Sequence, residues 1–236
     1  MGTNFKTGEG IFVLKKEELR NIPLIEQEKE LLKPLYESNL LRKYTSILEN
    51  QKFIIYTDSS FKDKNKMLNY PNLKKHLDKF EKVITSDNKP YGLHRARKEE
   101  FFTENKIVSL RKTPIPIFTY MNKESYFMAE FYIIKTKRIN MKYLTGLLNS
   151  KLIAFWLRYM GKMQGSNYQV DKEPLMNIPI KKATSEIENQ VINLVDRIIE
   201  LKKLDKDTKE LEIQIDEMVY DLYELTEEEK ELLRNF

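Results

Sequence analysis

The sequence predicts an α+β fold: a mixed or antiparallel sheet with flanking helices and a C-terminal antiparallel helical hairpin. Three observations lead there. Short β-branched and aromatic runs recur up to Lys135. A long apolar stretch of 3.6-residue period follows at 141–160. Beyond Ser185 the chain reads as amphipathic helices separated by short polar breaks.

The elements follow in order. Ile11-Phe12-Val13-Leu14 comes after a glycine-containing turn and reads as a strand. Leu24 to Leu35 is Glu/Lys-rich with apolar residues at helical spacing, and Pro34 lies near its end. Lys52 to Tyr56 is a second strand, and the Lys-rich stretch from Asp58 to Asn69 is a loop. Tyr70-Pro71-Asn72 opens a helix with proline in the first turn and an apolar face of Leu73, Leu77, Phe80 and Ile84. Lys106 to Leu110, Ile115 to Tyr120 and Tyr126 to Lys135 read as strands, the second held to an edge or bend by Pro114 and Pro116. Leu144, Leu147, Leu148, Leu152, Phe155, Trp156 and Tyr159 give 141–160 its helical face.

In the tail, Ser185 with Glu188 forms a capping-box pattern and predicts a helix over 187–204, with Ile187, Val191, Leu194, Val195, Ile198 and Leu201 on its apolar face. Asp205-Lys206-Asp207 breaks it. Leu211, Ile215, Met218, Leu222 and Leu225 then repeat at 4-3-4-3 spacing, a coiled-coil seam. Thr226 with Glu229 starts a last helix, 227–234. Helices joined by short connections fold back antiparallel.

At about 150 residues per domain, 236 residues make one large domain, or one domain with an appendage. Charge places the division at 182/183. Residues 1–182 carry 34 Lys+Arg against 20 Asp+Glu, a net of +14; residues 183–236 carry 7 against 16, a net of −9. The surplus is densest in 89–182, with 18 basic and 7 acidic residues. A basic body beside an acidic tail points to a polyanion as partner of the body.

The remaining composition excludes whole classes. Without cysteine there is no disulfide, thiolate zinc site or cysteine nucleophile. Two histidines, His76 and His94, do not make a multi-histidine metal centre or an HNH-type nuclease site. No apolar run approaches the roughly 18 residues of a membrane span, and the N-terminus has no apolar signal core. The phosphate loops GxxxxGK[ST] and GxGxxG, the GxSxG elbow, the Asn-Pro-Pro-aromatic tetrapeptide of amino-methylating DNA enzymes and a PD…ExK pattern are all missing. The chain is therefore expected to bind rather than catalyse.

Two stretches are polar beyond what a surface requires. In Tyr91-Gly92-Leu93-His94-Arg95-Ala96-Arg97-Lys98, cations follow a turn, and Arg95 and Arg97 point the same way if the segment is extended. Arginine makes bidentate contacts to guanine edges and phosphates. Arg111 and Lys112 stand at a strand end, placed to grip phosphate or to cover a sheet edge. Residues 161–171 read as a loop after the long helix, with Lys162, Gln164, Ser166, Asn167, Tyr168 and Gln169. Its amides suit adenine edges, and its tyrosine suits stacking or plugging. A solvated basic loop and an ordinary amide-rich turn are the bland alternatives.

Taken together, these residues resemble the TaqI-like C-terminal specificity domain of type IIG restriction–modification enzymes. Lys6-Thr7-Gly8-Glu9-Gly10-Ile11-Phe12-Val13 is similar to the first strand of such domains. Tyr70-Pro71-Asn72-Leu73 with His76-Leu77 resembles their "YP…L" helix, and Tyr91 to Arg97 through Lys106-Ile107-Val108 the approach to their central strands. Leu147-Leu148-Asn149-Ser150-Lys151-Leu152 resembles their "LNSK" helix. The most specific piece is Gln164 to Leu175, ending in Ile178-Pro179-Ile180. The "LNSK" and "IPI" elements also occur in type I specificity subunits.

The resemblance implies sequence-specific recognition of double-stranded DNA, mainly in the major groove, for a separate adenine-N6 methyltransferase domain and often a nuclease. It assigns no cofactor to this chain, and S-adenosylmethionine and magnesium to the parent enzyme. Asn149-Ser150-Lys151 is expected to fix the helix and Ile178-Pro179-Ile180 to orient the tail. The acidic tail is expected to face away from DNA, against the methyltransferase domain, a partner chain or its own body. Met1-Gly2-Thr3 reads as a start placed on a fragment or as that of a stand-alone specificity subunit. A bacterial cytoplasmic setting follows. Two rivals stand beside this reading: a type I-like half-subunit dimerising through its tail helices, and a protein-docking module using the basic surface. An enzyme with an all-carboxylate magnesium site is a third, opposed by the missing nucleotide loop and histidine cluster.

Overall fold

A computed structural model describes residues 10–46 and 50–236. Met1-Gly2-Thr3 and Lys6 to Glu9 lie outside the described residues. The fold class is α+β, as expected, but the strands do not join into one sheet. The described residues form three antiparallel sheets of three strands each. One compact unit takes the described residues of 1–36, 49–103 and 124–126; the other takes those of 37–48, 104–123 and 127–236.

In the first unit, β1 (Val13–Lys15) and β2 (Leu32–Leu35) flank β3 (Lys52–Ile55). Leu14 lies opposite Phe53, and Leu32 opposite Ile55. The helix expected over Leu24 to Leu35 reduces to one turn, α2 (Glu26–Lys29), after an equally short α1 (Lys16–Leu19). The rest is β2, because pairing with β3 satisfies its backbone. Pro34 is tolerated there, since β2 is an edge strand. The Asp58–Asn69 stretch forms consecutive 3-10 turns. Pro71 occupies the first position of α3 (Pro71–Asp78), as its fixed φ predicts. Phe80 and Ile84 are buried but lie beyond the helix end. Leu14, Ile55, Met67, Leu73, Leu77 and Tyr91 form the core.

The start of α3 is capped from a distance. Glu28, fully buried, accepts hydrogen bonds from the Asn72 and Leu73 amides at 2.6 and 3.0 Å, from Asn72 Nδ2 at 2.9 Å and from the Ile25 amide at 3.0 Å. Burial pushes its carboxyl up, but these donors prevail and hold it below the usual carboxylate range.

The second unit carries two sheets. In one, β4 (Lys106–Leu110) lies between β6 (Phe118–Met121) and β7 (Phe131–Ile134), with Ile107 between Tyr120 and Ile134. Both flanking strands are shorter than expected, and β6 starts only after Pro116. The other sheet is β5 (Lys112–Thr113), β9 (Asn167–Gln169) and β8 (Lys162–Gln164), in that order.

The stretch 141–160 is two helices, α4 (Met141–Asn149) and α5 (Lys151–Met160). Ser150 between them is extended, at φ −66° and ψ 155°. The break satisfies more polar groups than a continuous helix would. Ser150 Oγ accepts from the Ile153 amide and donates to the Leu147 carbonyl. Asn149 pairs with the backbone of Phe118 on β6. The "LNSK" residues thus fix the helix, as the resemblance implied.

α4 is buried on two sides. Tyr143 and Leu147 join one core cluster; Met141, Leu144 and Leu148 join another. On the first lies α7 (Ser185–Lys203), which meets α8 (Lys209–Leu222) beyond the turn at 204–208. α7 is capped by Thr184, one residue before the expected Ser185. On α8 the buried stripe is Leu211, Ile215 and Val219, with Tyr220, while Met218 and Leu222 are only half-buried. The seam packs on α4 and α7, so the tail rests on its own unit. α6 (Lys172–Asn177) precedes the Ile178-Pro179-Ile180 segment, and α9 (Glu227–Arg234) starts at the expected Thr226–Glu229 capping box. Tyr223 Oη donates to the Pro179 carbonyl at 2.5 Å and accepts from the Lys181 amide at 3.0 Å, tying that segment to the tail.

Candidate nucleic-acid interface

The expected contact residues fall into two groups, one in each unit. In the first unit, the 91–98 segment is pinned by its backbone while its cations face solvent. Thr57 Oγ1 donates to the Tyr91 carbonyl at 2.5 Å, and the Leu93 amide donates to the Thr57 carbonyl at 3.0 Å. Asn88 Nδ2 donates to the Leu93 carbonyl, and Tyr91 Oη to Asp78. The Tyr56 hydroxyl donates to the Arg97 carbonyl, and burial pushes that phenol up to about 12. A Cβ on Gly92 would come within 2.6 Å of Asn88 Cβ and 2.7 Å of the Asp58 carbonyl oxygen, so only glycine allows this approach.

His94, Arg95, Arg97 and Lys98 are exposed. His94 lies 3.4 Å from Asp87, and Lys98 3.9 Å from Glu100. Arg95 and Arg97 have no ion-pair partner among the described residues. The segment is not extended: Arg95 has φ +56° in a turn, so regular alternation no longer aligns its side chain with that of Arg97.

In the second unit, 161–171 is not a loop but a hairpin. β8 and β9 pair antiparallel through a two-residue turn, Gly165-Ser166, with Gly165 at φ +62°. β9 also pairs with β5. Lys112, Gln169 and Lys162 therefore lie in one cross-strand row, with the Gln164–Asn167 pair beside it. Residues opposite one another across strands share a face. By strand alternation the neighbouring row, Thr113, Tyr168 and Met163, faces the other way. Tyr168 is 6% exposed and packs with Phe118, Leu144 and Leu148. Of the two expected roles, stacking or plugging, burial leaves the second: the ring is part of the core and offers no free face to a base.

The solvent face thus presents two lysines and three amides on paired strands. Lys112, Lys162 and Gln164 are exposed, and Asn167 and Gln169 half-buried. Gln169 is oriented by Nε2 donating to Asp171 at 2.8 Å. Arg111 lies 3.6 Å from the same carboxylate and 5.4 Å over the Tyr132 ring. Ser166 is exposed at the hairpin tip. Amides can both donate and accept at base edges, while ammonium groups neutralise phosphate. The signal for this face was present as alternation in Lys162-Met163-Gln164 and Asn167-Tyr168-Gln169. Lys137, Arg138 and Lys182, which no sequence motif marks, add exposed cations in the same unit.

No group of three or more His, Cys, Asp or Glu among the described residues is arranged to hold a metal ion. No helix among them is long and apolar enough to cross a membrane.

The model of the TaqI-like C-terminal specificity domain matches residues 33–180, across both units. The type II methyltransferases M.HincII and M.HindII of Haemophilus influenzae are 30% identical over 70 residues, which is 27% of this chain and 14% of each relative. The match thus spans about a seventh of those relatives. Among solved structures, the type IIL restriction-modification enzyme MmeI, solved in complex with DNA, superposes with a TM-score of 0.68 at 12% identity, over 94% of this chain and 32% of that one. The type IIG restriction endonuclease BpuSI gives a TM-score of 0.48 at 13% identity, over 92% of this chain and 29% of that one.

Proposed function

The chain belongs to the family of TaqI-like C-terminal specificity domains, and on that premise we propose that it reads a short sequence in double-stranded DNA for a restriction–modification enzyme. The observation that carries this reading is the row Lys112, Gln169 and Lys162 on a face whose reverse side is core. Paired strands hold such a face rigid, so its donors and acceptors stay in register with base edges. The Arg95/Arg97 segment, pinned through its backbone, supplies a second set of cations.

In this proposal the chain positions DNA for a separate adenine-N6 methyltransferase domain and a nuclease, in the same or a partner polypeptide. S-adenosylmethionine and magnesium belong to those parts, in a bacterial cytoplasm. The chain itself does no chemistry: its contribution is affinity from phosphate contacts and discrimination from amide and arginine contacts.

The test is selection from a randomised duplex library at low and moderate salt, with sequencing of the retained fraction. Enrichment of one short motif, with affinity falling steeply as salt rises, is the expected result. Salt-sensitive retention with no motif would reduce the chain to a generic phosphate binder. No retention at low salt would overturn the reading in favour of a protein-docking module.

A further inference from the structure

The second unit contains an open cavity of about 460 Å³ between the starts of α4 and α7. Lys137, Arg138 and Lys182 line it, with Asn140, Tyr143 and Glu188. Three cations thus face one carboxylate. The lysines flanking them in sequence are paired: Lys135 with Glu104 at 3.3 Å, Lys142 with Asp196 at 2.6 Å and Lys181 with Glu224 at 2.5 Å. Lys137, Arg138 and Lys182 have no ion-pair partner among the described residues.

Like charges gathered in one cavity repel, and beside neighbouring lysines that are all paired such a cluster is an unmet demand for an anion. The setting strengthens the demand. Asn140 caps α4, accepting from the Lys142 and Tyr143 amides at 2.8 and 3.3 Å, and Thr184 caps α7. Both helices turn their positive ends toward the cavity. The caps take the Lys142, Tyr143 and Ile187 amides, so the helices contribute mainly field and the three side chains contribute the contacts. The walls are built: Tyr143 Oη donates to the Lys181 carbonyl at 2.9 Å and ties the start of α4 to the segment leading into α7.

We propose that this cavity is a phosphate-binding site and that its occupant is a phosphodiester of the DNA backbone. The choice of DNA rests on the function proposed above. The chemistry alone calls for a tetrahedral oxyanion, with arginine giving a forked contact and two lysines point charges. A cavity open to solvent accepts a phosphate that continues into a chain on both sides. The site would fix the position of the duplex without reading its sequence.

The experiment compares the whole chain with its K137Q/R138Q/K182Q variant, whose changes are exposed and lie outside the hydrophobic core. In the first arm, inorganic phosphate is titrated and backbone amide shifts are followed at 137–140 and 182–184. Saturable shifts in the parent that vanish in the variant are expected. Unsaturable shifts, or shifts that persist in the variant, overturn the site whatever the chain's relation to DNA. In the second arm, binding to a fixed duplex is measured against salt. The variant is expected to lose at least tenfold in affinity at low salt. The slope of log K against log salt should flatten by about 0.9 for each phosphate that is no longer neutralised, with the same motif still enriched. Phosphate binding with an unchanged DNA slope would overturn the backbone phosphodiester as occupant. If the parent shows no salt-dependent DNA binding, the DNA-reading function proposed above fails, and the first arm still decides the phosphate site.

Discussion

The Asn149 side chain grips both polar groups of the Phe118 backbone: its Oδ1 accepts from the amide at 3.1 Å, and its Nδ2 donates to the carbonyl at 2.7 Å. Nδ2 also donates to the Thr145 carbonyl at 3.0 Å. One amide side chain thereby joins the end of α4 to β6 and fixes the break before α5. Asn149→Ala removes the side-chain acceptor of the buried Phe118 amide and one of the donors to the Phe118 carbonyl, which keeps its bond from the Tyr44 amide. We expect a loss of about 1–3 kcal/mol in denaturant unfolding. Asn149→Asp keeps the acceptor but loses both donors, so it should not restore stability. An alanine variant as stable as the parent would remove Asn149 as the junction.

Asp216 of α8 reaches the start of α5, accepting from the Lys151 amide at 2.8 Å. Burial pushes its carboxyl up to about 6, and nearby Glu212 pushes the same way, against the Lys151 amide and Lys43. Between roughly pH 4 and 6 the folded chain therefore holds a proton that the unfolded chain has released. Asp216 thus makes stability fall as pH rises through that window, and its cost is constant above it. Asp216→Asn keeps an acceptor and removes the ionisation. Its stability relative to the parent should rise from pH 4 to 6 and then level off; a pH-independent difference, measured by thermal unfolding across that range, contradicts the assignment.

Glu28 behaves in the opposite way. Its pKa is lowered in the fold, so its contribution is full above the unfolded value and is lost as pH falls through the folded one. Glu28→Gln places an amide where four donors converge. A loss of about 1–3 kcal/mol is expected at neutral pH, shrinking in acid, where the parent too becomes protonated. Equal acid sensitivity in parent and variant would exclude Glu28 as the cap that matters.

Gly146 lets α4 pack close against α7: a Cβ there would lie 2.7 Å from Val191 Cγ1 and 3.3 Å from Val195 Cγ2. Valine side chains are stiff, so Gly146→Ala should cost about 1–3 kcal/mol despite the better helix propensity of alanine. On α8, Val219→Asp should unfold the hairpin more completely than Leu222→Asp, because Val219 is 1% exposed and Leu222 only half-buried. Circular dichroism melting that ranks the two aspartates the other way would restore the seam through Leu222.

Lys112→Gln and Lys162→Gln are expected to weaken binding to all duplexes alike and to reduce the salt slope by about 1 each. Gln164→Ala or Asn167→Ala should relax preference at individual positions by about 1–3 kcal/mol if these amides touch bases. Arg95→Ala and Arg97→Ala are expected to cost a similar amount in specific binding. A full set of substitutions that leaves both motif and slope unchanged removes this face as the reader.

Features that depend on neighbours within a turn, or on composition alone, are legible in the chain before any fold is known. Pro71 starts α3, Thr226 with Glu229 caps α9, and the division into a basic body and an acidic tail is a count of charges. The resemblance carried by Gln164 to Ile180 also survives as a family match. Errors arose where distant partners overrode local preference. β2 took the last third of the expected helix because β3 offered it hydrogen bonds, and β5 paired with the hairpin at 162–169 to widen it into a three-stranded face. Only the tertiary structure placed Lys112 and Lys162 on either side of Gln169, turned Tyr168 inward, brought Asp216 to Lys151 and gathered Lys137, Arg138 and Lys182 around one cavity. The physical reason is that strand register and helix packing are settled by contacts between residues far apart in the chain, and no local spacing encodes them.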